Sequence, residues 1–156
     1  MAHFTTTGSD TYPAGVTIQT VSNRPSNYAS TTAYHSGSLV PAAAKTITAK
    51  QTNSHFLINW NAQYGRSASG RSQFLMADSY SAGTSNYSAG NYLFYDHYGW
   101  YYDSTGGKGM TSYSYYDNSQ SISAAGSITY YVFLGTVSAG TDYAGNQEIM
   151  VSEIAA

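Results

Sequence analysis

Apolar and polar positions alternate with a period of two along two stretches of this chain. In HFLINWNAQYG (55–65), Phe56, Ile58, Trp60, Ala62 and Tyr64 alternate with Leu57, Asn59, Asn61 and Gln63. Successive side chains of a strand point to opposite faces, so this spacing predicts a strand with one apolar and one polar face. In SITYYVFLGTVS (127–138), Ile128, Tyr130, Val132 and Leu134 share one face, while Tyr131, Phe133 and Val137 share the other. Both faces are apolar, which predicts a strand covered on two sides, by the domain core and by a neighbouring chain. Weaker strands are predicted at 16–22, 45–51, 72–78, 92–95, 100–103, 110–116 and 147–154, in short runs separated by Gly, Ser, Asn and Asp. The Ala-rich start of VPAAAKTITAK (40–50) favours a helix for a few residues only, because β-branched residues follow at once. About eight short strands with turn signals between them point to an all-β fold, an antiparallel β-sandwich or jelly roll. No repeat period is visible. The expected organisation is an N-terminal arm, residues 1–11, and one β-sandwich domain, residues 12–156.

The stretch NYLFYDHYGWYYD (91–103) is aromatic at Tyr92, Phe94, Tyr95, Tyr98, Trp100, Tyr101 and Tyr102. Read locally, NYLFY is a strand, DHYG a turn with Gly99 free to take positive φ, and WYYD the returning strand. Fully exposed, these rings would present roughly 1,000 Å² of aromatic surface. Soluble monomers seldom show more than a few hundred Å² of apolar patch. Pleating can turn about half of the rings inward and leave the rest for a partner; the alternative is that all of them are core in a broad sandwich. The apolar residues left over once one core face is filled are Tyr92, Phe94, Trp100, Tyr101, Tyr131 and Phe133, and these are the candidate interface residues.

Charge narrows the classes of partner. Only 9% of the 156 residues are Asp, Glu, Lys or Arg, and the net charge is −2. No basic stripe is present, so neither nucleic acid nor an anionic membrane surface is an expected partner. Seventeen tyrosines argue against disorder. With no cysteine, disulfides and thiolate metal sites are excluded.

Catalytic and metal-binding patterns are weak. His3, His35, His55 and His97 lack metal-ligand spacing, so no metal and no cofactor is expected. Asp96 and Asp103 flank the returning half of the aromatic stretch as a glycosidase pair would, but they sit on opposite sides of the expected turn with no evident burial. GRSASGRS (65–72) lacks the ending of a phosphate loop and reads as a flexible hairpin loop carrying Arg66 and Arg71. GTDYAGN (140–146) offers too few oxygen ligands for calcium and reads as a turn. The expectation is a protein that is not an enzyme.

TYPAGVTIQTVSN (11–23), LVPAAAKTITAKQTNSHFLINW (39–60), SYYDNSQSISAAGSITYYVFLGTVSAG (114–140) and QEIMVSEIA (147–155) occur in this order. Together they resemble a head module of tailed-bacteriophage virion proteins, found in capsid cement proteins and at tail-fibre C-termini. The resemblance spans most of residues 11–155 and implies a homotrimer built into a virion. Tail-fibre modules end a long shaft, and no heptads or repeats precede Thr11 here. The expected role is therefore a capsid decoration, or cement, protein whose partners are itself and the major capsid protein. The alternative is a tail-fibre tip that joins tail proteins and recognises host surface glycan.

Overall fold

The computed structural model describes residues 12–26, 29–31, 41–81, 92–102, 108–136 and 140–156, apart from the side chains of 31, 97–102 and 108. The expected arm, residues 1–11, and Val137 lie outside the described residues. The strands are β1 (Thr17–Asn23), β2 (Ala29–Thr31), β3 (Pro41–Thr48), β4 (His55–Arg66), β5 (Gly70–Ala77), β6 (Phe94–Tyr102), β7 (Lys108–Asp117), β8 (Ser127–Thr136) and β9 (Asp142–Ile154). They form two sheets, in the orders β1-β9-β4-β7 and β3-β8-β5-β6, with β2 also paired to β9. Every pairing is antiparallel.

The order has a simple logic. β5 pairs with β6, β4 with β7, β3 with β8 and β1 with β9, so the pairs are nested about the middle of the chain. The chain is thus one long two-stranded ribbon, rolled up so that successive rungs fall in alternate sheets. Contacts β4–β9 and β5–β8 close the roll. This is the jelly roll among the expected architectures.

Period-two patterning decides which side chains meet inside. Phe56, Ile58, Trp60, Ala62 and Tyr64 of β4 are all buried, as their alternation predicts. They pack against Phe74 and Met76 of β5, Tyr130, Val132 and Leu134 of β8, and Ile149 and Val151 of β9. The Trp60 ring lies 5.3 Å from Phe74, and Phe74 lies 5.0 Å from Tyr113. Gln147 serves the one polar atom that Trp60 brings inside, accepting from its Nε1 at 3.2 Å. The Ala-rich start of β3 is a strand, because Ala43 and Ile47 fill core positions on one face and local helix preference yields to that burial.

Three sequence readings are corrected. DHYG is not a hairpin turn. From Phe74↔Asp96 to Ser72↔Trp100, β5 advances two residues and β6 four, so β6 runs on through a wide bulge. GTDYAGN is not a turn beyond its start, because Asp142 begins β9. Its positive-φ non-glycine residue, Asn146 (φ 47°), lies in another bulge, where β9 advances three residues against two of β4. Finally, residues 65–72 are no solvated hairpin loop. They carry the chain from β4 in one sheet to β5 in the other, and Arg66 is buried.

Buried carboxylates pin three of these crossings between sheets. At the β4–β5 crossing, the Arg66 guanidinium donates from Nη1 to both Asp142 oxygens at 3.0 and 3.1 Å. It also donates to the carbonyls of Ala68 (2.9 Å) and Arg71 (2.7 Å). Gly140, at φ 127°, lets the backbone pass this group; a Cβ there would lie 3.3 Å from Arg66 Nη2. At the β3–β4 crossing, Glu153 accepts from Lys50 N (2.9 Å), Gln51 N (3.0 Å), Ser54 Oγ (2.7 Å) and Gln19 Nε2 (2.6 Å). At the β7–β8 crossing, Asp117 accepts from Ser119 N (3.0 Å), Ser119 Oγ (2.7 Å), Gln120 Nε2 (2.8 Å) and Tyr130 OH (2.8 Å). Burial pushes the Asp117 carboxyl up, but the bonds from Ser119, Gln120 and Tyr130 outweigh it and hold the group below its ordinary value.

Two predictions follow from these anchors. Arg66→Met strands a buried carboxylate and should cost about 3–5 kcal/mol in urea unfolding, whereas Arg66→Met with Asp142→Leu should recover most of that loss. Asp117→Asn should cost about 1–3 kcal/mol at neutral pH. Because the folded-state pKa of Asp117 is depressed, its stabilisation is complete above the unfolded value of about 3.9 and fades as pH falls through the folded one. The stability gap between the wild type and Asp117→Asn should therefore be flat at neutral pH and narrow below about pH 4.

Candidate functional site

Sheet β3-β8-β5-β6 is apolar on its outer face as well as its inner one. Alternation along β5 and β8 sends Leu75, Ala77, Tyr131 and Phe133 outward, and the register sets Leu75 beside Phe133 and Ala77 beside Tyr131. Leu75, Ala77 and Phe133 are nevertheless fully buried. Their cover comes from the chain itself. After β5 the backbone turns over this face, and the Tyr80 ring settles 5.7 Å from both Tyr131 and Phe133. Tyr95 of β6 packs beside them, and its hydroxyl oxygen accepts from Gln73 Nε2 at 3.0 Å. Tyr92 lies 5.6 Å from Tyr95 and is 40% exposed. The result is an aromatic layer with a buried floor, Leu75, Ala77 and Phe133, and a half-exposed tyrosine rim.

The six candidate interface residues divide accordingly. Tyr92 and Tyr131 belong to the rim. Phe133 has no exposed surface and supports Tyr80 and Tyr131 from below. Phe94 faces the other way, into the sandwich, with its ring 5.3 Å from Tyr113. The side chains of Trp100 and Tyr101 lie outside the described residues. Sequence reasoning passed over Tyr80, which follows a predicted strand in a Ser- and Gly-rich stretch. Its only local signal is a large aromatic where turn residues are expected.

A second group has the composition of a catalytic site without its access. The Tyr64 hydroxyl donates to Asp142 and meets Ser72, and Ser72 Oγ donates to Asp142 at 2.7 Å. Tyr64, Ser72, Arg66 and Asp142 are all buried, so no substrate reaches the serine. Burial, with the adjacent Asp142 charge, raises the Tyr64 pKa and keeps the phenol protonated. The group is a structural lock. Asp96 likewise faces inward and accepts from Tyr113 OH at 3.0 Å, while Asp103 lies outside the described residues.

The other sheet presents a polar outer face whose groups satisfy one another. Thr20 pairs with Ser152 (2.8 Å), Ser114 donates to Asn59 (2.6 Å), Asn146 donates to Gln63 (3.0 Å), and His55 Nδ1 meets Tyr116 OH (2.6 Å). At one end is an open cleft of about 470 Å³, lined among others by Asn61, Met110, Asn146 and Glu148. At its rim Arg24 and Glu148 form an ion pair of 3.0 Å.

No protein family matches the sequence, and no curated protein matches it. Solved structures do. A chain of infectious bursal disease virus, Gt strain, aligns with a TM-score of 0.52 at 11% identity, covering 88% of this chain and 32% of that one. The VP2 subviral particle of infectious bursal disease virus aligns with a TM-score of 0.49 at 11% identity, covering 86% and 31%. Dimeric latent PorU from Porphyromonas gingivalis aligns with a TM-score of 0.40 at 11% identity, covering 95% and 14%. This chain spans about a third of the length of the viral chains or less of the third. At 11% identity the first of these likenesses is one of fold, a β-sandwich of antiparallel sheets.

If the rim is held by Tyr80, then Tyr80→Ala should uncover Phe133. Two aromatic contacts are lost, worth about 0.5–1.5 kcal/mol each, so urea unfolding should register a loss of about 1–3 kcal/mol. Binding of a hydrophobic dye to the folded protein should rise at the same time.

Proposed function

We propose that this chain is a structural protein of a virus particle, a trimeric capsid decoration protein of a tailed bacteriophage that clamps neighbouring capsomers without covalent bonds. The observation that carries this reading is the aromatic layer. A jelly roll needs one apolar interior, and this one has a second apolar surface on the outside of a sheet, rimmed by Tyr80, Tyr92, Tyr95 and Tyr131. Tyrosine-rich surface with a buried apolar floor is typical of protein contacts, where aromatics are enriched and charge is depleted. The fold likeness to a chain of infectious bursal disease virus supports a place in a particle. The order of motifs along residues 11–155 supports a tailed phage.

The mechanism is thermodynamic and needs no catalytic group. A protein that binds only the assembled shell stabilises it by mass action, by about 2.7 kcal/mol per site at a hundred times the dissociation constant. Low surface charge assists, since few ions need be desolvated when a flat face is covered. Tyr92 and Tyr131 are the contact residues in this reading; Phe133 supports Tyr131, and Tyr95 packs beside Tyr92. A second reading, a tail-fibre tip that binds host glycan, draws on the cleft beside Asn61 and Asn146, whose amides and neighbouring Met110 suit a neutral polyol.

The deciding measurement is copy number in purified particles by quantitative mass spectrometry. A number of the same order as the major capsid protein is expected, and Tyr92→Ala with Tyr131→Ala should weaken binding to capsids about thirtyfold or more, as loss of two aromatic anchors at about 1–2 kcal/mol each implies. A handful of copies per particle would refute the decoration role and favour the tail.

A further inference from the structure

The four edges of the sandwich differ in how they are protected. Edge strands expose unpaired backbone groups, and proteins blunt them with charge, proline, bulges or short length. β3 carries Pro41, Lys45 and a register shift between Pro41 and Ala43. β6 carries Asp96 and its wide bulge. β1 is short and shifts register between Thr17 and Gln19. Between its terminal residues, Lys108 and Asp117, β7 has none of these devices. Its register with β4 runs unbroken from Phe56↔Asp117 to Gly65↔Lys108, and Gly109–Tyr116 contains neither proline nor a charged residue. Among the described residues it pairs only with β4.

The side chains on this edge form a second, independent pattern. Thr111, Tyr113 and Tyr115 turn inward, and Met110, Ser112, Ser114 and Tyr116 turn outward. Met110 (67%) and Tyr116 (49%) are the most exposed large apolar side chains among the described residues. They lie at equal distances on either side of Tyr113, as do the two serines between them. A strand with this symmetry is complementary to itself.

We propose that the free edge of β7 pairs with β7 of a second copy, antiparallel across a two-fold axis at Tyr113. In that register Ser112 faces Ser114 of the second copy, and Met110 faces Tyr116 of the second copy. The serines form a hydroxyl pair, and each thioether meets an aromatic ring, a favourable contact. The two β1-β9-β4-β7 sheets become one continuous sheet through the axis. No charge opposes the approach, as an isologous contact requires of residues near its axis. The contact is small: β7 supplies ten residues per copy, against roughly 20–30 per side in a standard interface. In solution it is weak, and in an ordered assembly it is reinforced by repetition. This inference stands apart from the capsid contact proposed above, which uses the opposite sheet.

The absence of cysteine makes the register directly readable. Ser112→Cys and Ser114→Cys change exposed residues, so each variant should keep the wild-type fold by circular dichroism. Under mild oxidation, an equimolar mixture of the two variants should give a covalent mixed dimer, and each variant alone should give at least tenfold less. Ser112→Lys with Ser114→Lys should abolish pairing, and mixing it with the corresponding double Glu variant should restore it, read as mass by native mass spectrometry at high concentration. The proposal is overturned if the cysteine mixture gives no more dimer than the single variants, or if the double Lys variant keeps the wild-type mass. A trimer that survives these changes would leave the decoration role standing.

Discussion

The fold depends on how the chain passes from one sheet to the other without carrying charge on its surface. A rolled ribbon must cross between layers repeatedly, and each crossing leaves backbone groups that no ladder satisfies. Here carboxylates are placed inside to receive them. Glu153 takes the amides of Lys50 and Gln51, Asp117 takes that of Ser119, and Asp142 holds Arg66, which in turn takes the carbonyls of Ala68 and Arg71. Three of the eight acidic residues are spent in this way, so the surface is even less charged than the composition suggests. Arg66 is the one counter-charge among them. Glu153 and Asp117 rely on clustered N–H and O–H donors, which stabilise a buried carboxylate without a cation.

A surface so short of ions has consequences for what can lie against it. Hydroxyls and amides on the β1-β9-β4-β7 face bond to one another, so covering that face breaks few bonds to water. On the opposite sheet, the aromatic layer has its own partial roof in Tyr80. The two faces are built for different contacts: one with its hydroxyls and amides largely paired to one another and Met110 and Tyr116 exposed along its β7 edge, the other aromatic with a firm floor.

Much of this was legible in the sequence where burial follows a regular period. The inward set from Phe56 to Tyr64 is strictly alternating, and the two-sided apolar pattern of β8 marks a strand covered on both faces, although Tyr80 and Tyr95 of this chain cover the second face where the pattern predicts a neighbouring chain. What local reading missed lies where long-range pairing overrides local chemistry. DHYG has the residues of a turn, yet β5 draws it into a bulged strand. Arg66 sits among Ser, Gly and Ala, the composition of a solvated loop, and its partner is 76 residues away. Phe94 and Tyr95 are adjacent and aromatic, and only the register with β5 decides which faces the core and which the rim. Tyr80 escaped notice because a roof over a sheet has no period at all.

The nested pairing also ranks the rungs by the length of chain that each must close. β5 and β6 form the innermost rung, and each later rung, β4 with β7, β3 with β8, then β1 with β9, closes a longer stretch of chain. Loop closure grows costlier with length, though slowly, so formation of the inner rungs shortens the effective loop for the outer ones. Even the innermost rung must close the span between Ala77 and Phe94, which makes nucleation slow for a domain of this size. Until β1 docks, β9 is paired with β4 on one side and keeps an open edge over residues 149–154 on the other, which exposes the chain to misassociation there.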